Sequence, residues 1–546
     1  VALGLAFTFA ASGAAAAPQQ PLPSAVVPAS VATQVSVVVP LIVPSGSGGL
    51  LDAETLADYT EPLGILTRQL DAIEGQPVSV AIDPMILASI RVLGSSAPPT
   101  AREWLQRLSV LSNPTVPLPY ANADPTLVTQ NGSAETLEPL SFDFALNSAN
   151  FSTAEPATDA VTTPAPIDVG TDEVPPFPST QQLLAWDFDL ENFLFPRPDT
   201  VVSSDLEAFA ASEYDTVVLS SNNVSRAEGA GSVLDVDGVR VLVSDADASA
   251  AMHTALGSTL DVDVVDADAA LAAAVQAAGA KQSAATASVL ITVDHSMEMS
   301  AARLDSALTS LITHPAITIV PLTELAAAPQ SAAMIVDSPH SEDRLGDVAR
   351  LIAAAAKERS FFAIAADPAA LISERRLNLL DVLGSIPSDN PADWLTDVNR
   401  FLVDSRDTLS AIAVVESSDS LLLADNGFLP VSVSNGLGQA VTVYITVKPR
   451  TALLAVGDSR VELHIEPNSQ AKGNVPVQSL SNGMVEVTVS LSSSTGLPIG
   501  SSEVRDINVQ AGWETPIVLA LAILVFLIFG VGFVRSSLRR KKPASE

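Results

Sequence analysis

VSVAIDP, residues 78–84, is a short run that is apolar on both faces and closes on Asp-Pro. A strand with one wet face alternates apolar with polar; a run without that alternation belongs in a parallel sheet covered by helices on both sides. Outward from it the pattern repeats. Residues 35–39, 115–118, 216–219, 239–243, 289–293 and 317–320 read as further strands, and residues 52–73, 100–111, 267–278 and 301–311 as helices between them. About seven such units predict an α/β fold, a (β/α) barrel-like domain over residues 35–328, with an open doubly wound sheet as the competing topology.

Two stretches depart from that rhythm. Between Arg107 and Arg197 there is no Lys or Arg, and residues 129–178 are rich in Ser, Thr, Pro, Asp and Glu. They are expected to be a mobile acidic insertion, or else a lid over the barrel mouth. After residue 328 the strand spacing fails, and residues 341–358, 374–383, 392–403 and 406–412 read as helices, so 329–418 is expected to be a helical segment. Residues 419–511 then alternate with period two in short runs separated by Gly, Asn, Pro and Ser. This predicts an immunoglobulin-like β-sandwich.

Residues 517–534, IVLALAILVFLIFGVGFV, carry no charge and approach the roughly 20 apolar residues that span a bilayer. A transmembrane helix is expected over 513–535, followed by a basic tail at 536–546. Arg535, Arg539, Arg540, Lys541 and Lys542 lie on one side of it and Trp513 on the other, so the positive-inside rule puts the tail in the cytoplasm and the rest outside. The first 17 residues, VALGLAFTFAASGAAAA, resemble a signal peptide, with a Pro-rich spacer at 18–34.

The chain has 546 residues and a formal net charge of −35, and the basic tail makes the remainder more acidic still. Such a body repels nucleic acid. The absence of cysteine excludes disulfides, thiolate catalysis and cysteine zinc sites. The five histidines never fall four apart, and no phosphate loop, dinucleotide fingerprint or Gly-x-Ser-x-Gly is present. No cofactor or metal is predicted.

In a parallel barrel, chemistry sits where strands end. The candidates are Asp83, Tyr120, Asp124, Asp245, Asp247, Asp294, His295 and Glu324. Asp83, Asp124, Asp245 and Asp294, with His295, are the possible catalytic or cation-binding groups; Tyr120, Asp124 and Glu324 are the possible binding groups. Each aspartate can equally be a helix cap or turn residue, and Asp294-His295 is least easily explained that way.

The leader, the Val-Val-Val-Pro strand, Val-Ala-Ile-Asp-Pro, Leu-Pro-Tyr-Ala-Asn-Ala-Asp-Pro at 118–125, the late sandwich and the terminal helix together resemble an actinobacterial family of cell-envelope proteins of unknown function. Members are often encoded beside the lipid II flippase, which implies a part in wall assembly. The barrel is also distantly similar to polysaccharide deacetylases and related glycan hydrolases. It lacks their His-x-x-x-His pair and their Asp-Asp after the first strand, which argues against metal-dependent deacetylation.

The resulting expectation is a non-catalytic, membrane-anchored envelope protein whose partner is peptidoglycan, another wall glycan or an envelope-assembly protein. A glycan-active hydrolase or deacetylase-like enzyme using strand-end carboxylates and a structural subunit of a membrane complex are the alternatives.

Overall fold

The computed structural model describes residues 32–44, 48–151, 177–284, 286–295, 300–384, 391–415, 420–422, 426–509 and 514–539. The expected leader, nearly all of the spacer, residues 152–176 of the insertion, Trp513, Arg540, Lys541 and Lys542 lie outside them.

The strands of the larger body are, in chain order, β1 (Ala32–Leu41), β2 (Ser79–Ile82), β3 (Thr115–Pro117), β4 (Phe193–Leu194), β5 (Thr216–Ser220), β6 (Val224–Arg226), β7 (Val233–Val236), β8 (Val239–Ser244), β9 (Thr286–Thr292), β10 (Ile317–Ile319) and β11 (Ser331–Ile335). Parallel ladders join β3 to β2, β2 to β1 and β1 to β9, and join β4 to β5 and β5 to β8. β8 meets β9 only at Ser244 and Leu290. Between β3 and β4 the chain is tied by Asp189, whose backbone N–H donates to the Thr115 carbonyl (2.9 Å) and whose carboxylate accepts from the Thr115 N–H (2.7 Å).

Side-chain alternation explains why these strands look uniformly apolar in sequence. Val38, Ala81, Val116, Phe193, Val218, Leu242 and Leu290, one from each of seven parallel strands, share a single inner cluster. Their neighbours Val37, Val39, Val80, Ile82, Val289 and Ile291 face the helices in the main core, and Val217, Leu219, Val241 and Val243 face a third cluster with Phe209. The apolar residues on both faces of these strands are therefore withdrawn from water, each large aliphatic side chain contributing about 1.5–3 kcal/mol.

The strands absent from the sequence reading have identifiable causes. β4 is only two residues long. β7 and β8 are a hairpin across Asp237-Gly238, where φ is 54° and 89°, the left-handed pair that a tight two-residue turn requires. β7 continues through β11 to β6. β10, expected as the last barrel strand, lies beside the first residues of β1, on the side β2 occupies further along.

Other expectations are corrected. Residues 52–73 form two helices, Ala53–Thr60 and Ile65–Ile73, because Pro62 cannot continue the first and Gly64 opens the second. The described part of the acidic insertion is packed rather than loose: Phe142 is fully buried in the main core, with Leu137 and Phe144 against it. The helical segment is not separate. Its helices Glu342–Phe361, Pro368–Gly384 and Pro391–Leu409 place Val348, Leu377, Leu380, Trp394 and Phe401 in that same core. The third helix replaces the two expected at 392–403 and 406–412.

The smaller body comprises β12 (Ile412–Val414), β13 (Ser420–Leu422), β14 (Asn426–Asn435), β15 (Val441–Pro449), β16 (Leu454–Val456), β17 (Val461–Ile465), β18 (Ser469–Ser479), β19 (Gly483–Ser492) and β20 (Pro498–Val509). They form a four-stranded sheet, β12-β14-β18-β16, and a five-stranded sheet, β13-β20-β19-β15-β17. Val431, Val433, Val475 and Val477 of one meet Val443, Ile445, Val485, Val487 and Val489 of the other in one core. Because β12 already pairs with β14, this body begins before residue 419. Helix Glu514–Arg539 follows, and its stretch Val518–Ser537 is long and apolar enough to cross a membrane, with none of it buried against the protein.

Candidate functional site

Asp83, Asp124, Asp245, Asp294 and His295 all follow the C-terminal ends of parallel strands, as expected, but they do different things there. Asp83 caps helix Pro84–Val92: its Oδ1 accepts from the N–H groups of Met85 and Ala121, both at 2.9 Å. It is 1% exposed, its Oδ2 has no hydrogen-bond partner, and burial raises its pKa to about 7. Asp245 caps helix Ala246–Gly257 through the Ala248 N–H (3.0 Å). Asp247 is exposed and 3.5 Å from Lys281. Tyr120 is buried, donating to the Gly49 carbonyl at 2.6 Å. Glu324 is at the other end of the sheet: it accepts from Gln34 early in β1, while the nearby Leu322 N–H donates to Ser79 at the start of β2.

A cleft of about 740 Å³ opens over the ends of β4, β5, β8 and β9. Its floor is a hydroxyl network in which Ser244 Oγ lies 2.8 Å from Thr292 Oγ1 and 3.0 Å from Ser249 Oγ. Of the four candidate aspartates only Asp294 lines it, half exposed and 3.9 Å from His253. His295 lines it too. The His295 Nδ1 lies 2.8 Å from Asn122 Oδ1, an acceptor, so that nitrogen carries the proton and Nε2 keeps a lone pair with no partner. Burial, then the charge of Arg197, lowers the His295 pKa to about 4, and the Phe195 ring sits edge-on at 4.7 Å. The imidazole is a neutral, buried ring in the cleft wall.

Asp124 lies behind the wall and organises it. Thr126 Oγ1 donates to its Oδ1 (2.6 Å), and His340 Nε2 lies 2.7 Å from the same hydroxyl. The threonine proton is committed to Asp124, so His340 Nε2 is the donor in that second bond. It also lies 3.2 Å from Asp124 Oδ2, with Arg197 Nε at 3.9 Å. Burial pushes the Asp124 carboxyl up, but His340, Arg197 and Thr126 more than offset it and the pKa is lowered.

Arg197, His340 and Arg344 line the cleft and were not singled out from the sequence. Arg197 donates to the Gly384 carbonyl at 3.2 Å. Arg344 lies 4.6 Å over the Trp394 ring, and two of its nitrogens are buried without a hydrogen-bond partner. Burial lowers the pKa of both arginines, and each lies within reach of the Asp124 charge. The one visible signal was Arg197 itself, the first basic residue after a long acidic stretch. Among the described residues no group of three or more His, Asp or Glu is placed to hold a metal ion.

A family model described as a family of unknown function, DUF6049, matches residues 8–545. The chain belongs to that family. No curated protein matches this DUF6049 chain. Its structural similarities are partial. Native α2-macroglobulin of Escherichia coli matches with 16% identity and a TM-score of 0.16, over 18% of this chain and 7% of that one. WR4, an MSP family member of Caenorhabditis elegans, matches with 9% identity and a TM-score of 0.15, over 18% of this chain and 99% of that one. The E. coli chaperone DraB matches with 10% identity and a TM-score of 0.15, over 18% and 56%.

Proposed function

We propose that this DUF6049 protein is a membrane-anchored, extracytoplasmic protein of the cell envelope whose cleft binds an anionic, hydroxyl-rich wall glycan without transforming it. The observation that carries the reading is the composition of the cleft wall: Arg197 and Arg344, cations with incomplete partnering, beside the neutral acceptor Nε2 of His295 and the hydroxyls of Ser244 and Thr292. Guanidinium groups suit carboxylate and phosphate, while a lone pair and hydroxyls suit sugar hydroxyls. Retaining and inverting hydrolysis both need two carboxyl groups flanking the bond. Asp83, Asp124 and Asp245 do not line the cleft and are held by caps or ion pairs. Of the two carboxylates that do line it, Asp199 accepts from Asn222 at 3.2 Å and Asp294 lies 3.9 Å from His253, and we read these engaged groups as favouring binding over hydrolysis.

The architecture is consistent with this. The inner cluster shared by seven parallel strands supports a barrel, with the cleft at its C-terminal mouth. The two-sheet body supports an immunoglobulin-like stalk, and Val518–Ser537 a single-pass anchor with Arg535 and the basic tail on the cytoplasmic side. On this reading residues 35–328 and the following helices recognise the polymer, and the smaller body holds them off the lipid.

Sedimentation of the full chain, purified in non-ionic detergent, with isolated peptidoglycan tests the proposal. Retention that falls about tenfold for Arg344→Ala, with an unchanged unfolding midpoint, is the expected result; tenfold corresponds to about 1.4 kcal/mol. If neither peptidoglycan nor another anionic wall polymer is retained, the polymer reading fails and a protein of the envelope-assembly apparatus becomes the better partner.

A further inference from the structure

A second pocket, about 310 Å³ and sharing no lining residue with the cleft, lies between helices Glu342–Phe361 and Pro368–Gly384 and the loop around Gly132. Three arginines line it, Arg359, Arg375 and Arg376, against a single carboxylate, Glu358. That carboxylate is already engaged: Arg375 Nε donates to its Oε2 at 2.9 Å. Glu358 is 1% exposed, and its Oε1 has no hydrogen-bond partner; one terminal nitrogen of Arg375 is likewise buried and unpartnered. The Arg375 guanidinium is held 4.2 Å over the Phe401 ring, so its orientation is set without a ligand.

Arg376 donates one hydrogen bond, to the Glu138 carbonyl at 3.1 Å. Burial, and next the charge of Arg359, lowers its pKa, which places two guanidinium groups within electrostatic reach of each other. The lining residues alone thus carry two positive charges in excess, with the Glu138 carboxylate also within electrostatic reach of Arg376, in a chain of net charge −35. The remaining wall, including Leu137, Ile352, Ile372 and Leu379, is apolar. Buried polar atoms without partners cost about 1–3 kcal/mol each, so a site that keeps them is one in which something else completes them.

We infer that this pocket binds a small phosphate ester carrying a hydroxyl group, with the phosphate on Arg359, Arg375 and Arg376 and the hydroxyl donating to Glu358 Oε1. Three planar forks match the several oxygens of a phosphate, where a carboxylate would satisfy only one fork. The free oxygen of Glu358 selects a donor beside the anion, and the apolar wall receives the carbon skeleton. The size of the cavity suits a ligand of a few carbon atoms, at the lower end of small-molecule sites.

Calorimetric titration of the full chain in non-ionic detergent and phosphate-free buffer tests this with glycerol 1-phosphate, butyl phosphate, inorganic phosphate and acetate as probes. Saturable one-to-one binding of glycerol 1-phosphate is expected, several-fold tighter than butyl phosphate and at least tenfold tighter than acetate. Arg359→Gln and Arg376→Gln, both outside the buried Glu358–Arg375 pair, should each weaken it about tenfold, while Lys357→Gln should leave it unchanged. Phosphatidylglycerol vesicles separate the two sources of such an ester: displacement of glycerol 1-phosphate identifies a lipid headgroup, and no displacement a free ester. The inference is overturned if no probe saturates, if acetate binds as well as the esters, or if the double variant of Arg359 and Arg376 binds like the parent.

Discussion

His340 Nε2 lies 3.2 Å from Asp124 Oδ2, joining the segment after β3 to the start of helix Glu342–Phe361. The contact holds the cleft wall because the same carboxylate is the counter-charge for buried Arg197. Asp124→Asn should therefore destabilise the protein by about 3–5 kcal/mol at pH 7, the range for breaking a buried pair and leaving its partner charged. The Asp124 pKa is lowered on folding, so its contribution is present above the ordinary carboxylate range and is lost as pH falls through the lowered value. Urea midpoints of variant and parent should differ clearly at pH 7 and converge in strong acid. Asp294→Asn, at a half-exposed position, should change the unfolding free energy by no more than about 0.5 kcal/mol.

Asp83 has the opposite linkage. Its pKa rises from 3.8 to about 7 on burial, so the folded protein holds a proton that the unfolded chain releases. Stability from this group is complete below pH 3.8 and declines as pH rises through 7, by about 4 kcal/mol if it titrates alone. Asp381, raised to about 6 by burial, has the same sign. Asp83→Asn keeps an acceptor for Met85 and Ala121 and removes the titration. The variant should match the parent near pH 4 and exceed its unfolding midpoint at pH 8; an unchanged difference across that range would refute a buried proton.

His295 titrates against acid. Its pKa falls from 6.5 to about 4 on folding, so stability from the neutral ring is present above pH 6.5 and is lost as pH drops through 4, about 3 kcal/mol in all. His295→Gln should flatten the acid limb of the stability profile between those values. Measured by chemical shift, the ring should remain neutral at pH 5.5 in the parent; a charged imidazolium there would contradict its burial.

Gly384 has no room for a side chain: a Cβ there would meet the Ala121 carbonyl oxygen at 1.8 Å. Its own carbonyl accepts from Arg197, and the Leu383 carbonyl before it accepts from the Asp124 N–H. Gly384→Ala should cost about 1–3 kcal/mol through overpacking. It should also lower retention on wall polymer more than Lys357→Gln does, since it displaces the backbone that positions Arg197.

The acidic bias, the lack of disulfides, the apolar span near the C-terminus and most strands of the larger body were legible in the chain, because each is a local property. Residues 80–82 and 289–291 are apolar whatever they touch, and residues 517–534 carry no charge at all. Even the Asp237-Gly238 turn carried its signal, in a dipeptide that readily takes two left-handed residues. Tertiary structure alone decided the rest. Nothing near Arg197 in sequence announces Asp124, and nothing near Glu358 announces Arg376 as a neighbour. Only folding sets which charges lose water together, and that shared desolvation makes one carboxylate a fixed anion, another a proton store and a histidine a neutral acceptor.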